Sequence, residues 1–191
     1  MAQLIVSQLI SLDGYCAGSG GNPGVLPMDG AFNAHNLERL RAAGTLVLGR
    51  TTFSMFAGFW PAMATNPEAP AVLREMAQLN TAMPKLVVSD TLDVDAAPAW
   101  GPVEVVSRHG AAARIAELKQ KTERDLLVFG SHLMWNALLA QGLVDELHLL
   151  IGAVVLREGV RAFEQPVARP LRLLEQRRLE GSETALLRYG A

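Results

Sequence analysis

Two places in the chain pass from an apolar run through a glycine directly into a helical pattern, and this feature restricts the fold most. One apolar run, at 126–129, breaks at Gly130 before a helical pattern over 133–141. The other, at 45–48, passes through Gly49 to a helix start at Arg50. Strand, turn and helix in this order are typical of α/β folds with a parallel sheet. Backbone N–H groups at such helix starts bind anions, so two of them suggest a dinucleotide.

The rest of the chain fits the same α/β pattern. Further strands are predicted at 3–12, 85–89, 103–107 and 146–150, and further helices at 30–43, 71–80 and 111–121. The helix from Gly30 is expected to end at Gly44, and the proline-containing segment 59–70 is expected to be an irregular loop. Two last strands at 171–179 and 183–189 flank a Glu-Gly-Ser turn and predict a hairpin. We therefore predict a single α/β domain over residues 1–191, with a mostly parallel central sheet flanked by helices and an antiparallel C-terminal hairpin.

Composition narrows the possible ligands. The chain has 191 residues, half of them hydrophobic, and a formal net charge of −2 with no basic stripe, so nucleic acid is not an expected partner. No apolar run is long enough to cross a membrane and the N-terminus lacks a signal-peptide pattern, which predicts a cytoplasmic protein. Cys16 is the single cysteine and the histidines lack zinc-type spacing, so no metal site is expected. A small molecule is therefore the expected kind of ligand.

Several motifs carry a family resemblance. Gly-Arg-Thr-Thr-Phe at 49–53, followed by Phe-Trp-Pro at 59–61, resembles the Leu-Gly-Arg-x-Thr-aromatic segment of the dihydrofolate reductase superfamily. The chain is more similar still to stand-alone proteins related to the reductase half of the bifunctional riboflavin-biosynthesis enzyme. Their pattern is matched by Ser-Leu-Asp-Gly at 11–14, Pro-Lys-Leu-Val-Val-Ser at 84–89, Gly-Ser at 130–131 and Gly-Leu-Val-Asp-Glu-Leu at 142–147. This resemblance implies a dihydrofolate reductase-like fold, a homodimer, hydride transfer from NADPH, and a flat heterocyclic substrate, either a pteridine or a ribosylamino-pyrimidine.

The resemblance assigns cofactor binding to both glycine turns. The residues are Gly49, Arg50, Thr51 and Thr52 at one turn and Gly130, Ser131 and His132 at the other. Arg50 would make a charge-assisted contact to the pyrophosphate. A threonine beside a helix start is also a routine cap. His132 either donates to a phosphate or is a solvated first-turn residue.

Residues after two neighbouring strands bear on the choice of nicotinamide cofactor. Ser89 resembles the serine that contacts the adenosine 2′-phosphate of NADPH in the superfamily. Its neighbour here is Asp90, and a carboxylate at this point would repel that phosphate and favour a free ribose hydroxyl. Arg108 could compensate, or could be an ordinary surface charge. We expect NADPH on family grounds, with NADH as the alternative.

Two acids are candidate catalytic residues. Asp13 follows the first strand, where α/β ligands bind, although Asp-Gly is also a common turn dipeptide. Asp29 lies in a segment that resembles the pterin-binding acid region of dihydrofolate reductase. A partly buried Asp29 with a raised pKa could help to protonate the ring or hold it, or Asp29 could simply cap the helix. Phe53 and Trp60 could line a ring pocket, or could be core packing residues.

The chain departs from the family pattern in two places, one after the sixth predicted strand, at 146–150, and one at the turn before Gly130. Arg157 stands at a usual glycine position, where it is expected to obstruct a left-handed backbone conformation. Phe129 stands where the riboflavin-pathway reductases carry a glutamate, and it cannot hydrogen-bond a ribose. The altered Arg157 segment motivates an alternative, a catalytically silent nucleotide-binding or interaction protein that keeps the fold.

Overall fold

The computed structural model describes residues 1–93, 100–167 and 169–191. Ten strands are described: β1 (Leu4–Ser11), β2 (Tyr15–Ala17), β3 (Ala43–Gly49), β4 (Lys85–Val88), β5 (Val103–Val106), β6 (Asp125–Phe129), β7 (Glu146–Gly152), β8 (Val160–Arg161), β9 (Arg172–Arg178) and β10 (Ala185–Gly190). Five α-helices accompany them: α1 (Gly30–Ala42), α2 (Arg50–Thr65), α3 (Ala71–Ala82), α4 (Arg108–Lys121) and α5 (His132–Ala140).

Eight of the strands form one sheet in the order β5-β4-β3-β6-β1-β7-β10-β9. The first six are parallel to one another, and β10 runs antiparallel to both β7 and β9. The predicted α/β fold, with its mostly parallel sheet and C-terminal hairpin, is therefore confirmed. The carboxyl ends of six parallel strands meet at one edge of this sheet, which is where α/β proteins bind ligands.

Both faces of the sheet are covered by helices. All eight residues of β1 are buried, as expected for a central strand with helices on each side. One core layer packs Ile115 of α4 and Trp135 of α5 against the sheet. The other packs Leu40 of α1, Phe53 of α2 and Met76 of α3 against the opposite face.

The helix from Gly30 ends one residue earlier than predicted, and Gly44 is not its terminator. Ala43 caps α1 and begins β3, so Gly44 lies inside a strand. The glycine has a packing reason, because a Cβ atom at this position would lie 2.8 Å from Cβ of Arg124. A close approach of two segments thus explains a glycine that the sequence pattern assigned to a helix end.

The loop predicted at 59–70 is wrong over its first half. Helix α2 continues through Pro61 to Thr65, and only the following link to α3 is irregular. Proline inside a helix costs a hydrogen bond and crowds the preceding turn. Burial of Ala57 and Trp60 in the core, with Phe56 packed edge-on against Trp60, favours the helix despite that cost.

Candidate functional site

The two glycine turns lie side by side at the carboxyl edge of the sheet and are hydrogen-bonded to each other. The backbone N–H of Gly49, at the end of β3, donates to Oγ of Ser131 at 2.9 Å. In return, the backbone N–H of Ser131 donates to Oγ1 of Thr52 at 3.1 Å. The structure therefore brings together four residues that the sequence assigned to one cofactor site: Gly49, Thr52, Gly130 and Ser131.

The turn after β6 requires a special backbone. Gly130 and Ser131 both have left-handed dihedral angles, with φ of 54° and 55°. A Cβ atom on Gly130 would lie 3.3 Å from Oγ1 of Thr52, so the glycine also permits the close approach of the two turns. The hydroxyl of Thr52 is buried against Ser131, which gives Thr52 a structural role here.

The helix starts at these turns present backbone donors. The first N–H groups of any α-helix lack partners within the helix. Among the described residues, no side chain caps α2 after Gly49, and the Ser131 hydroxyl at the start of α5 accepts from Gly49 instead of its own helix. Arg50 and Thr51 are exposed in the first turn of α2. Two uncapped helix starts beside one arginine form a suitable anion-binding surface.

The residues expected near an adenosine 2′-phosphate interact with one another. Ser89 is buried, and its hydroxyl accepts the backbone N–H groups of Thr91 and Leu92 at 3.1 and 2.9 Å. Asp90 accepts the backbone N–H of Arg108 at 2.9 Å, and its Oδ2 lies 3.4 Å from Nε of the same arginine. The arginine side chain is 83% exposed, so Asp90 neutralises part of its charge without burying it.

His132 has a carboxylate partner. Its Nε2 lies 3.2 Å from Oε1 of Glu164, a residue 32 positions later in the chain. The ring therefore faces the segment after β8 through this nitrogen. Phosphate binding through Nε2 of His132 would compete with that contact.

Asp13 joins the loop after β1 to the loop after β7 through hydrogen bonds. Its carboxylate accepts the Ser11 hydroxyl at 2.6 Å and the backbone N–H groups of Leu156 and Arg157 at 3.1 and 2.7 Å. The hydrogen bond from Ser11 above all, with those from the two backbone groups, lowers the pKa of Asp13 to about 2. The expectation that Arg157 obstructs a left-handed conformation is wrong, because Arg157 adopts it, with φ of 67°. The bond from its N–H to Asp13 helps to hold that backbone in place.

Asp29 caps α1 and faces a cavity. Its Oδ1 accepts the backbone N–H of Phe32 at 2.9 Å, and its Oδ2 accepts the hydroxyl of Ser182 from the hairpin between β9 and β10. Partial burial acts to raise the pKa of Asp29, but the hydrogen bonds from Ser182 and Phe32 outweigh it and the pKa is lowered. The raised pKa considered for Asp29 from the sequence is therefore not found, and Asp29 carries a negative charge at neutral pH; the capping role, the alternative considered, is present.

The cavity beside Asp29 measures about 270 Å³. It lies where the loop before α1, the segment after β7 and the β9–β10 hairpin meet. Its lining consists of Val25, Leu26, Pro27, Asp29, Ala153, Val154, Ser182, Glu183 and Thr184. Sequence reasoning found only Asp29 among these nine residues. The signal for the others was weak, because three separate segments contribute them and the hairpin read only as a turn.

The two aromatic residues expected to line a ring pocket are core residues. Phe53 is 1% exposed and packs against Trp100, with ring centroids 5.8 Å apart. Trp60 is 7% exposed and packs against Phe56 and Phe59. The packing alternative considered for these residues is the one that the structure supports, since helix α2 turns both side chains toward the sheet.

The whole arrangement can be compared with known proteins. The model of the RibD C-terminal domain family matches residues 2–184, nearly the full chain. The chain belongs to this family. Because the RibD C-terminal domain is a reductase domain, membership supports an oxidoreductase. No curated protein sequence matches the chain.

Solved structures agree on the fold. A protein from Shewanella sp. PV-4 described as a riboflavin biosynthesis protein is 23% identical, with a TM-score of 0.71 over 100% of this chain and 98% of that one. The bifunctional deaminase and 5-amino-6-(5-phosphoribosylamino)uracil reductase of Thermotoga maritima is 10% identical, with a TM-score of 0.71. That match covers 99% of this chain and 56% of the bifunctional one. Dihydrofolate reductase from Enterococcus faecalis, solved with NADP(H), is 15% identical, with a TM-score of 0.60 over 98% and 95% of the two chains. The dihydrofolate reductase-like fold of this RibD C-terminal domain is thus established.

One further finding concerns membranes. Within the described ranges, no helix is both long enough and apolar enough to traverse a bilayer.

Proposed function

We propose that the protein is an NADPH-dependent reductase that acts on a pyrimidine- or pteridine-type ring. One observation carries the proposal: two interlocked glycine turns with uncapped helix starts lie at the same sheet edge as an acid-bearing cavity. A dinucleotide on the turns and a ring in the cavity would meet at the ends of the central strands. Family membership supports the same reaction class.

The residues present fit a dinucleotide. Glycine at 49 and 130 keeps the backbone accessible, and the N–H groups of the first turns of α2 and α5 are directed toward the carboxyl edge. Arg50 would contact the pyrophosphate, with Thr51 beside it. Ser131 would keep the two turns in register through its bond to Gly49. NADPH, when bound, would supply the hydride, and the protein would supply position and electrostatic environment.

The cofactor preference depends on Asp90. The ion pair with Arg108 supports NADPH, because it offsets the carboxylate that would repel a 2′-phosphate. NADH is the alternative, and it would be preferred if the charge of Asp90 prevailed over that of the exposed arginine. Ser89 can still donate its hydroxyl proton to either a phosphate or a ribose.

The two acids would have different tasks. Asp29, ionised and held by Ser182, would bind the N–H edge of a substrate ring and so orient it against the nicotinamide. Asp13 would act as a positioning residue, because its oxygens hold Leu156 and Arg157, just after the residues 153–154 that line the cavity. The family resemblance also leads us to propose a homodimer, which light scattering after size exclusion would test.

Titration with NADPH and with NADH, followed by nicotinamide fluorescence, tests the proposal. Arg50→Ala should weaken binding about tenfold or more, the usual effect of removing a charged hydrogen bond. Arg172→Ala, on the exposed strand β9, is the matched control and should change nothing. If neither cofactor binds at micromolar concentration, the reductase proposal fails. Tight binding without turnover of any pteridine or aminopyrimidine would favour the catalytically silent alternative.

A further inference from the structure

The charged residues that line the cavity beside Asp29 are all acidic. Its polar lining residues are two acids, Asp29 and Glu183, and two hydroxyl residues, Ser182 and Thr184. The nine lining residues, all within the described part of the chain, include no lysine, arginine or histidine. The Thermotoga relative is named for a phosphoribosylamino substrate, and a phosphate needs cations or a cluster of backbone donors.

We propose that this cavity takes an unphosphorylated, nitrogen-rich ring, and that Glu183 excludes phosphorylated substrates at its mouth. The inference rests on the proposed function and specifies the substrate class of the same site. The substrate proposed for this chain therefore differs from the phosphoribosylamino substrate for which the bifunctional relative is named.

Size supports the proposal. The cavity holds about 270 Å³, just below the range of about 300–1,000 Å³ typical of sites for drug-sized ligands. One flat ring system fits in it, and we expect a pentose phosphate attached to that ring to extend toward the opening. Glu183 is 78% exposed there, so the phosphate would approach its carboxylate.

The inner wall favours N–H donors. Asp29 accepts one hydrogen bond on each oxygen, from Phe32 and from Ser182, and each oxygen keeps a second acceptor site. Ser182 is 93% buried and its hydroxyl also accepts the backbone N–H of Thr184, so its proton is committed to Asp29. The carboxylate is thus held in one orientation. An edge with two adjacent N–H groups would match it in a paired, bidentate contact.

The arginine paired with Glu183 does not reverse the negative charge of the cavity lining. Nη1 of Arg178 lies 3.3 Å from Oε1 of Glu183, and its side chain is 68% exposed. An exposed pair of this kind is weak and leaves both charges solvated. If Arg178 instead left Glu183 and bound a phosphate, Arg178→Gln would weaken binding of the phosphorylated compound.

Calorimetric titration with 5-amino-6-ribosylaminouracil and with its 5′-phosphate tests the proposal without requiring turnover. The wild-type protein should bind the unphosphorylated compound about tenfold more tightly, because a phosphate dianion would face the Glu183 carboxylate at the mouth, with the charge of Asp29 on the inner wall behind it. Glu183→Lys should remove that preference or reverse it. Glu180→Lys makes the same charge change in the same hairpin, outside the cavity lining, and should leave the preference within about twofold.

The outcomes separate the two proposals. One contrary result is that the wild type binds the 5′-phosphate more tightly than the unphosphorylated compound and that Arg178→Gln loses this preference. This result would show that Arg178 binds the phosphate, and it would overturn the inference without affecting the reductase proposal. An equal response of the Glu183 and Glu180 variants would also overturn it, since the effect would be one of net charge. If neither compound nor a free pterin bound at millimolar concentration, the substrate part of the proposed function would fail together with this inference.

Discussion

Lys85 offers a test of the electrostatics of the core. The side chain is 1% exposed, and its Nζ donates to the backbone carbonyls of Thr81 and Met83 at 2.9 and 2.8 Å. It also lies 4.3 Å from the ring centroid of Trp100. None of these partners carries a negative charge, so burial lowers the pKa of Lys85 to about 8. A neutral amine still has two N–H donors for two carbonyls, and deprotonation therefore breaks neither bond.

The sign of the pH dependence follows from the lowered pKa. An unfolded lysine titrates near 10.5, so between pH 8 and 10.5 the unfolded chain binds more protons and the free energy of unfolding rises with pH. Below pH 8 the cost of burying the charge is fully present. With about 1.4 kcal/mol per pKa unit, the gain across this window is at most about 3 kcal/mol.

Urea unfolding at intervals from pH 7 to 10.5 measures this gain. Cys16 contributes with the opposite sign, because burial raises its pKa from 9.0 to about 11 and an unfolded thiolate forms first. The difference between wild type and Lys85→Met cancels that background and should grow with pH by roughly 2–3 kcal/mol. Lys121→Met, on the exposed end of α4, should leave the wild-type slope intact. A pH-independent difference for Lys85→Met would refute the reasoning and show that the carbonyls and Trp100 keep the lysine charged throughout.

Three more predictions follow from single residues. Arg157→Gly should raise the urea midpoint slightly, because a left-handed non-glycine residue costs about 1 kcal/mol; Arg157→Ala, which keeps a Cβ, should not raise it. Asp90→Ser should raise the ratio of NADPH to NADH affinity about tenfold by removing the carboxylate that neutralises Arg108, and an unchanged ratio in fluorescence titrations would place the 2′-phosphate elsewhere. Trp60→Phe should lower the free energy of unfolding by less than about 1.5 kcal/mol, since the indole Nε1 is buried and has no hydrogen-bond partner among the described residues. Trp60→Ala, which leaves a cavity, should lower it by about 3–5 kcal/mol, and thermal unfolding measures both.

Local patterns predicted most of the fold. Apolar runs bounded by glycine marked the strands of the parallel sheet, and the Glu-Gly-Ser turn marked the final hairpin, with Gly181 at φ 73°. The errors arose where tertiary contacts overrode a local signal. Gly44 read as a helix end because its neighbour Arg124 is 80 positions away, and Pro61 read as a breaker although aromatic packing keeps α2 helical. Periodicity within one segment contains no information on either contact.

The candidate site divides in the same way. The glycine turns were visible in the sequence because a backbone requirement restricts residue type at the position itself, as at Gly130. The roles of the polar side chains could not be predicted from the sequence, because each depends on a partner distant in the chain. These partners are Ser182 for Asp29, Glu164 for His132 and Arg108 for Asp90. The sequence pattern of an acid at a helix start is the same whether the acid caps the helix, binds a ligand or does both.

The Asp29 carboxylate shows what such a partner changes. With burial alone its pKa would rise and it could store a proton for the substrate; with the Ser182 hydroxyl bound, the pKa falls and the group becomes a fixed negative charge. The same residue therefore changes from a proton donor to a binding group through a contact across 153 positions. A reductase that uses Asp29 in this way must receive its proton from another source, such as solvent reaching the mouth of the cavity. Ser182→Ala should then raise the pKa of Asp29, which NMR titration of the carboxyl carbon would measure, and an unchanged pKa would show that the helix-capping bond to Phe32 alone keeps the group ionised.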